Sequence, residues 1–301
     1  GDPQRYNISN GIGTPFSVHP VAPDFSRVDL KLSSLLVPGV IYTATVSSQL
    51  TDCVGNAVSN STAQFALPEP VAANDIVINE ILPDPLDGGV DFVELYNRSQ
   101  KVIDLGSLVL CTQDTVANIL EEINAIAPDG FLLFPGQYVV LSEDGNAVAA
   151  QYPASVNRDQ LLDMDNIPSM NIDGDIVIVA DTGFRIIDRL VYSSDWHFPL
   201  LDETKGVTLE RIDTERSTQD ATNWHSAAQT SGFGTPTQKN SQYSAAPADD
   251  GAVTLGNTIF SPDNNGFEDV LNITYLFDRP GYVASITIYD ERGRLVRTLI
   301  R

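Results

Sequence analysis

In residues 92–97, Phe-Val-Glu-Leu-Tyr-Asn, side chains alternate about a strand axis. Val93 and Leu95 fall on one face; Phe92, Glu94 and Tyr96 fall on the other. A period of two over so short a run is the mark of a strand with one buried face. The same pattern recurs in residues 28–33, where Val28, Leu30 and Leu32 alternate with Asp29, Lys31 and Ser33. β-Branched and aromatic runs predict further strands over 5–9, 40–47, 62–67, 75–82, 101–110, 175–181, 184–193 and 206–212, and a strand pair over 131–144 bent at Pro135 and Gly136. Residues 79–97 read as a hairpin-like unit around an acidic, Pro/Gly-rich loop. Two stretches have helical spacing. Residues 111–130 read as an irregular stretch in which the spacing of 117–127 permits a short helix, and residues 145–152 read as one or two helical turns ended by Pro153. Residues 223–227 and 232–241 read as extended coil.

Punctuation divides the chain. Residues 67–74 (Leu-Pro-Glu-Pro-Val-Ala-Ala-Asn) and 243–251 are short linkers rich in Pro, Ala and small polar residues. The expected domains are therefore 1–68, 74–242 and 252–301. The first and last are too short in strands to be whole sandwiches. The fold class that follows is all-β, as tandem modules.

Several motifs then suggest families. Asn79-Glu80-Ile81, residues 92–97, the strand over 173–179 with its turn, Leu209-Glu210-Arg211, Asn223-Trp224, Gly234-Thr235-Pro236 and Asn240-Ser241 occur in the order in which the bacterial lamin-tail domain carries them. The central segment resembles that family, whose implied fold is an Ig-like β-sandwich with a binding or scaffolding role and no catalytic residues. Tyr6-Asn7-Ile8, Leu35 to Tyr42, Asp52 with Gly55 and Asn56, and residues 63–65 resemble the later half of the Ig-like domains of bacterial S-layer proteins. Phe260-Ser261-Pro262, Asn265-Gly266, Asp269, Tyr275, Ile288-Tyr289-Asp290 and Gly293-Arg294 resemble part of a C-terminal Ig-like domain also found in flagellar hook-capping proteins.

Charge narrows the partners. The 301 residues carry 40 Asp and Glu against 17 Lys and Arg, a formal charge of −23. Phosphate backbones repel such a surface, which argues against nucleic acid. No apolar run is long enough to span a membrane as a helix. The opening Gly-Asp-Pro-Gln-Arg-Tyr-Asn reads as the interior of a domain, so the lack of a leader there says nothing about export. Cys53 and Cys111 have no metal-ligand spacing; they read as small buried hydrophobes, with a bridge between them as the alternative.

Catalytic constellations are missing. His19, His197 and His225 form no HxH or HExxH motif, and no GxSxG elbow occurs. Gly11-Ile12-Gly13 reads as a turn. Asp163-Met164-Asp165 lacks the α/β setting in which a DxD motif acts. Calcium is the cofactor to consider, because short acidic loops with Gly or Asn at their bends supply its oxygen ligands. The leading loop offers Asp263, Asn265, Glu268 and Asp269. Asp84, Asp87 and Asp91 form a second, and Asp173 with Asp175, near Asp163 and Asp165, a third. An acidic solvated turn is the alternative for each. Phe92, Glu94 and Tyr96 on one strand face, with Trp196 and Trp224 each beside a histidine, are the candidate ligand-binding residues; core packing of both tryptophans is the competing reading. The expectation is a non-enzymatic, secreted or cell-surface protein that binds or spaces a cell-envelope protein or glycan. The alternative is an accessory region of a larger secreted hydrolase.

Overall fold

The structure, a computed structural model, describes all residues except 52–53, 59–60, 155, 200, 244–252, 276–284, 291 and 301. Cys53, Asp52 and most of the second linker therefore lie outside the described residues.

The N-terminal strands are β1 (Tyr6–Ile8), β2 (Ser17–Val21), β3 (Arg27–Lys31), β4 (Tyr42–Val46) and β5 (Thr62–Phe65). They form a three-stranded sheet in the order β1-β4-β5 and a separate β2-β3 pair. Ile8, Ile12 and Tyr42 make a small core, against which Leu30, Leu32 and Phe65 pack, so the alternation read from residues 28–33 holds. Strand β2 has no counterpart in the sequence reading, because Pro20 interrupts its apolar pattern.

The central strands are β6 (Ile76–Leu82), β7 (Phe92–Asn97), β8 (Ile103–Asp104), β9 (Leu108–Asp114), β10 (Ile119–Ala125), β11 (Leu132–Leu133), β12 (Tyr138–Ser142), β13 (Leu161–Asp163), β14 (Ile176–Asp181), β15 (Ile186–Val191), β16 (Leu209–Arg211) and β17 (Trp224–Ser226). They build a six-stranded sheet, β13-β12-β7-β6-β16-β17, facing a four-stranded sheet, β10-β9-β14-β15, with β8 and β11 paired beside them. The core between the sheets takes alternate residues from both. Ile78, Ile81, Val93, Leu95, Val139 and Leu141 come from one side; Leu108, Leu110, Val177, Val179 and Leu190 come from the other. Such period-two interdigitation is how two sheets bury one apolar face each.

The stretch 117–127 corrects the helix expectation. It is strand β10, paired antiparallel with β9 and bulged between Glu121 and Asn124. The spacing of Ile119, Leu120 and Ile123 allowed either structure, and antiparallel pairing with β9 decided it. Residues 145–152 do hold a helix, α1 (Gly145–Gln151), whose N-cap Asp144 accepts from the Asn146 and Ala147 amides. Residues 224–226, read as coil, form β17. Among the described residues no helix is long and apolar enough to cross a membrane.

The C-terminal strands are β18 (Val253–Leu255), paired with β19 (Ile273–Tyr275), and β20 (Ser285–Tyr289), paired with β21 (Leu295–Ile300).

Candidate functional site: a roofed row of carboxyls

A single irregularity in β6 creates the site. Strict alternation from Ile76 and Ile78 would send Glu80 into the hydrocarbon core. Instead the register with β7 runs Ile78↔Leu95 and then Glu80↔Glu94, leaving Asn79 as the extra residue of a β-bulge. The bulge turns Glu80 to the outer face and returns Ile81 to the core. On the other side of β6, Glu210 of β16 lies directly opposite Glu80. Three glutamates thus stand in one row across three adjacent strands, Glu94-Glu80-Glu210, and each is 0% exposed.

A strap, residues 233–242, roofs the row. Glu80 Oε1 accepts from the Thr235 amide at 2.9 Å, and its Oε2 lies 3.4 Å from Thr235 Oγ1. Thr235 Oγ1 is 2.6 Å from Glu210 Oε1. Glu210 Oε2 accepts from Ser241 Oγ at 2.8 Å and from the Gln242 amide at 3.0 Å. Glu94 accepts from Asn79 Nδ2 at 2.8 Å and from the Thr237 amide. Asn240 completes the network: its Nδ2 donates to the carbonyls of Asn79 and Arg211, and its Oδ1 accepts from Asn79. Gly234 lets the strap enter. A Cβ there would lie 2.5 Å from the ring of Tyr152, which itself packs edge-on to Phe92 at 6.0 Å.

Burial raises all three carboxyls. Glu80 is pushed up to about 8, first by burial and then by the charge of Glu210; Glu94 rises by burial and by Glu80, and Glu210 by burial. Like charges directly opposite one another in a sheet repel, so the row holds a proton. A hydroxyl has one hydrogen. Thr235 Oγ1 gives it along its short contact to Glu210, so Glu80 Oε2, 3.4 Å away, goes without it, and the Thr208 hydroxyl is a second neighbour of the Glu80 carboxyl.

A second buried polar pair fixes the core side of the same strand. Arg211, 1% exposed, points inward and stacks over Trp224 at 5.4 Å. Its Nη2 is 3.5 Å from Asp188 Oδ2 on β15, and Thr218 Oγ1 bridges the pair, accepting from Arg211 and donating to Asp188 at 2.6 Å. Asp188 Oδ2 also accepts from the Ile78 amide at 2.8 Å, just before the bulge. Asp188 therefore stitches the two sheets together where β6 parts from β16.

The structure disperses the residues expected to bind ligand. Phe92 and Glu94 are fully buried under α1 and the strap. Trp224 is core, its Nε1 donating to the Thr218 carbonyl at 2.9 Å. Trp196 stacks on Trp224 at 6.2 Å and is partly buried. Tyr96 is half-buried against Tyr138 at 4.7 Å. These five residues do not form one exposed aromatic face. His197, beside Trp196, is lowered to about 4 by burial and then by His225, and its Nδ1 meets Ser226 Oγ at 2.9 Å.

The acidic loops have internal uses. Asp269, buried, accepts from the amides of Asp263 at 2.9 Å, Asn264 at 2.6 Å and Gly266 at 2.6 Å. Asp263 and Asn265 are exposed and Glu268 half-exposed. The turn packs on the central sandwich: Asn264 Nδ2 donates to the Ala227 carbonyl, the Gln229 amide donates to the Asn264 carbonyl, and Gln242 Nε2 donates to Asn264 Oδ1. Asp87 pairs with Lys205. Half-buried Asp91 is pushed up to about 6 by burial, then by Glu143 and Asp84. Asp163 accepts from the Gly145 amide, and Asp175 from the amides of Asn171 and Ile176. Among the described residues, no group of three or more His, Cys, Asp or Glu side chains is arranged to hold a metal ion. Replacing Asp269 with alanine orphans three amides and is expected to cost about 1–3 kcal/mol. Excess calcium is expected to leave the melting temperature of the unaltered protein unchanged, and a calcium-dependent rise abolished by Asp269→Ala would overturn that assignment. Cys111 is free and buried, and burial pushes its thiol up to about 11.

Two clefts open elsewhere. One, about 390 Å³, is walled by Phe198, Leu201, Phe233 and Asp263; the other, about 920 Å³, by Arg216, Leu271, Tyr275, Ile286 and Leu299. Neither is lined by a member of the carboxyl row.

Two facing sheets with an interdigitated core and a strap-roofed outer face define an all-β protein of Ig-like sandwich type. Residues 69–194 match the lamin tail domain family. No curated protein matches the chain. The matched segment ends after β15, yet β16, β17 and the strap belong to the same sheet and the same buried network. The central sandwich therefore extends structurally to Gln242. The lamin tail fold is non-catalytic and agrees with a modular, non-enzymatic role.

The row itself was half visible in the sequence. Glu94 stood out as a charge inside an apolar strand, while Glu80 and Glu210 counted merely as parts of family-like motifs. Their meeting depends on the bulge and on a strap 143 residues from Glu94.

Proposed function

We propose that the chain is a non-enzymatic modular protein of the cell exterior that spaces or presents binding surfaces toward a cell-envelope protein or glycan. The observation that carries this reading is the state of the carboxyl row. A catalytic carboxylate needs a free oxygen facing a substrate. Here the strap covers the row, and the chain's own donors engage Glu80, Glu94 and Glu210. The cluster is then a structural clamp, and function passes to the exposed loops and to the joint between modules. The flanking segments fit this reading as parts of Ig-like modules of the S-layer and hook-capping kinds.

The test has two arms. The purified chain is assayed against phosphoester, peptide and glycoside substrates, where background rates are expected. It is also applied to a glycan array and to immobilised envelope proteins, where saturable binding unaffected by Glu80→Gln is expected. Turnover above background that is lost in Glu80→Gln would overturn the non-enzymatic reading.

A further inference from the structure

The strap does more than cover the row; it also forms the seat of the next module. Gln242 connects the two. Its amide is held by Glu210 Oε2 at 3.0 Å, while its side chain reaches Asn264 Oδ1 at 3.2 Å and Asp269 Oδ2 at 3.4 Å. Ser241 Oγ, donating to Glu210, accepts from the Ala228 amide at 2.8 Å. Ala228 lies against the turn: a Cβ on Gly266 would sit 3.0 Å from the Ala228 Cβ. Gln242, Asn264 and Asp269 are all buried. A continuous buried polar path thus runs from Glu80 through Thr235, Glu210 and Gln242 to the turn at 263–269, with Glu94 beside Glu80 on the neighbouring strand.

We propose that the carboxyl row is a proton-operated latch, which keeps the strap closed and the C-terminal turn seated while Glu80 is neutral and frees both when Glu80 ionises.

The geometry supplies the reason. Neutral Glu80 adds no charge to the row and has a hydrogen to share with the neighbouring hydroxyls of Thr235 and Thr208. Once ionised it has no hydrogen to give, and it faces Glu94 and Glu210 across adjacent strands with no cation to offset the charge. The surrounding titratable groups are Tyr138 from β12, Tyr152 from the end of α1, and His225, opposite Glu210 on β17. Both tyrosines are themselves raised by burial. His225 turns Nδ1 to the Ser226 carbonyl at 2.9 Å and its ring to Phe198. Lys239, on the strap, sits over Tyr243 at 3.7 Å. Among the described residues no Lys, Arg or His forms a hydrogen bond or ion pair with any member of the row.

The sign follows from proton counting. The closed state holds a proton that the open, solvated state releases, so opening is favoured as pH rises. The opening equilibrium climbs up to about tenfold per pH unit while Glu80 stays protonated when closed and free when open, and levels off above its raised value of about 8.

Lys239 provides the readout, because it is exposed but lies in a strap pinned on both sides. Trypsin cleavage after Lys239 in the full chain is measured at pH 7, 8 and 9, relative to a short peptide with the same Lys-Asn bond. The expected result is a relative rise of roughly tenfold between pH 7 and 9, most of it before pH 8. In Glu80→Gln the side chain keeps its shape and stays neutral at every pH, and the rise should vanish. X-ray scattering should show the unaltered chain, and not the variant, expanding over the same range. A flat profile in the unaltered chain would overturn the proposal, as would an equal rise in Glu80→Gln. The unaltered chain alone is sufficient to refute it if the variant fails to fold.

Discussion

Replacing Asp188 with alanine is expected to lower the free energy of unfolding by about 3–5 kcal/mol. The substitution leaves Arg211 fully buried without its counter-ion. Burial has already pulled the guanidinium down, to about 10, so it stays charged at neutral pH and its charge has nowhere to go. The Ile78 amide loses its acceptor as well, at the point where the bulge has separated β6 from β16. Removing both charges tests whether the ion pair or the amide matters more. Asp188→Leu with Arg211→Met replaces the pair by apolar volume, an exchange that is often neutral for buried ion pairs. The double variant should recover most of the loss, with a remainder of about 1–3 kcal/mol for the orphaned Ile78 amide. Urea unfolding followed by tryptophan fluorescence reads both, since Trp224 lies against Arg211. A loss below about 1 kcal/mol in Asp188→Ala would show that water or a shifted side chain replaces the carboxylate.

Asp188 shows where sequence reading reaches its limit. The alternation of residues 92–96 located the core face of β7 correctly, because period two is a local property. The strands at 75–82, 175–181 and 184–193, and the helix stopped by Pro153, were legible for the same reason. The bulge at Asn79 was not, because one extra residue reverses the face of everything after it without changing composition. Residues 119–125 failed differently: their apolar spacing suits a helix or a strand, and the choice was made by β9. The acidic turn at 263–269 had the chemistry of a cation loop, but the burial that assigns Asp269 to backbone amides comes from packing on the neighbouring sandwich. Family-like motifs named many of the residues that matter, including Leu209-Glu210-Arg211 and Asn240-Ser241. They could not say that Glu210 faces the strap while Arg211 faces the core, or that Asn79 and Asn240 meet.

Glu210→Ala is expected to be the most damaging single change on the outer face, by about 3 kcal/mol or more, whereas Glu210→Gln should cost much less. Glu210 serves three donors: Thr235 Oγ1, Ser241 Oγ and the Gln242 amide. Alanine strands them in a site with no solvent, and each buried, unpaired donor costs roughly 1–3 kcal/mol. Thr235 can turn to Glu80 Oε2, 3.4 Å away, but the Gln242 amide is fixed by the backbone and has no such choice. Glutamine keeps an acceptor of the same shape and removes a charge opposite Glu80, so part of its lost acceptor strength is returned as reduced repulsion. The size of that return depends on pH: it should grow from pH 6 to pH 8 as Glu80 approaches ionisation at about 8. The damage should also spread. Gln242 hangs from Glu210 and holds Asn264, so Glu210→Ala and Gln242→Ala should be non-additive by at least about 0.5 kcal/mol in a double-mutant cycle. Additive losses would mean that the strap and the C-terminal turn are held independently, and that the path from Glu80 to Asp269 is continuous in space without being coupled in energy.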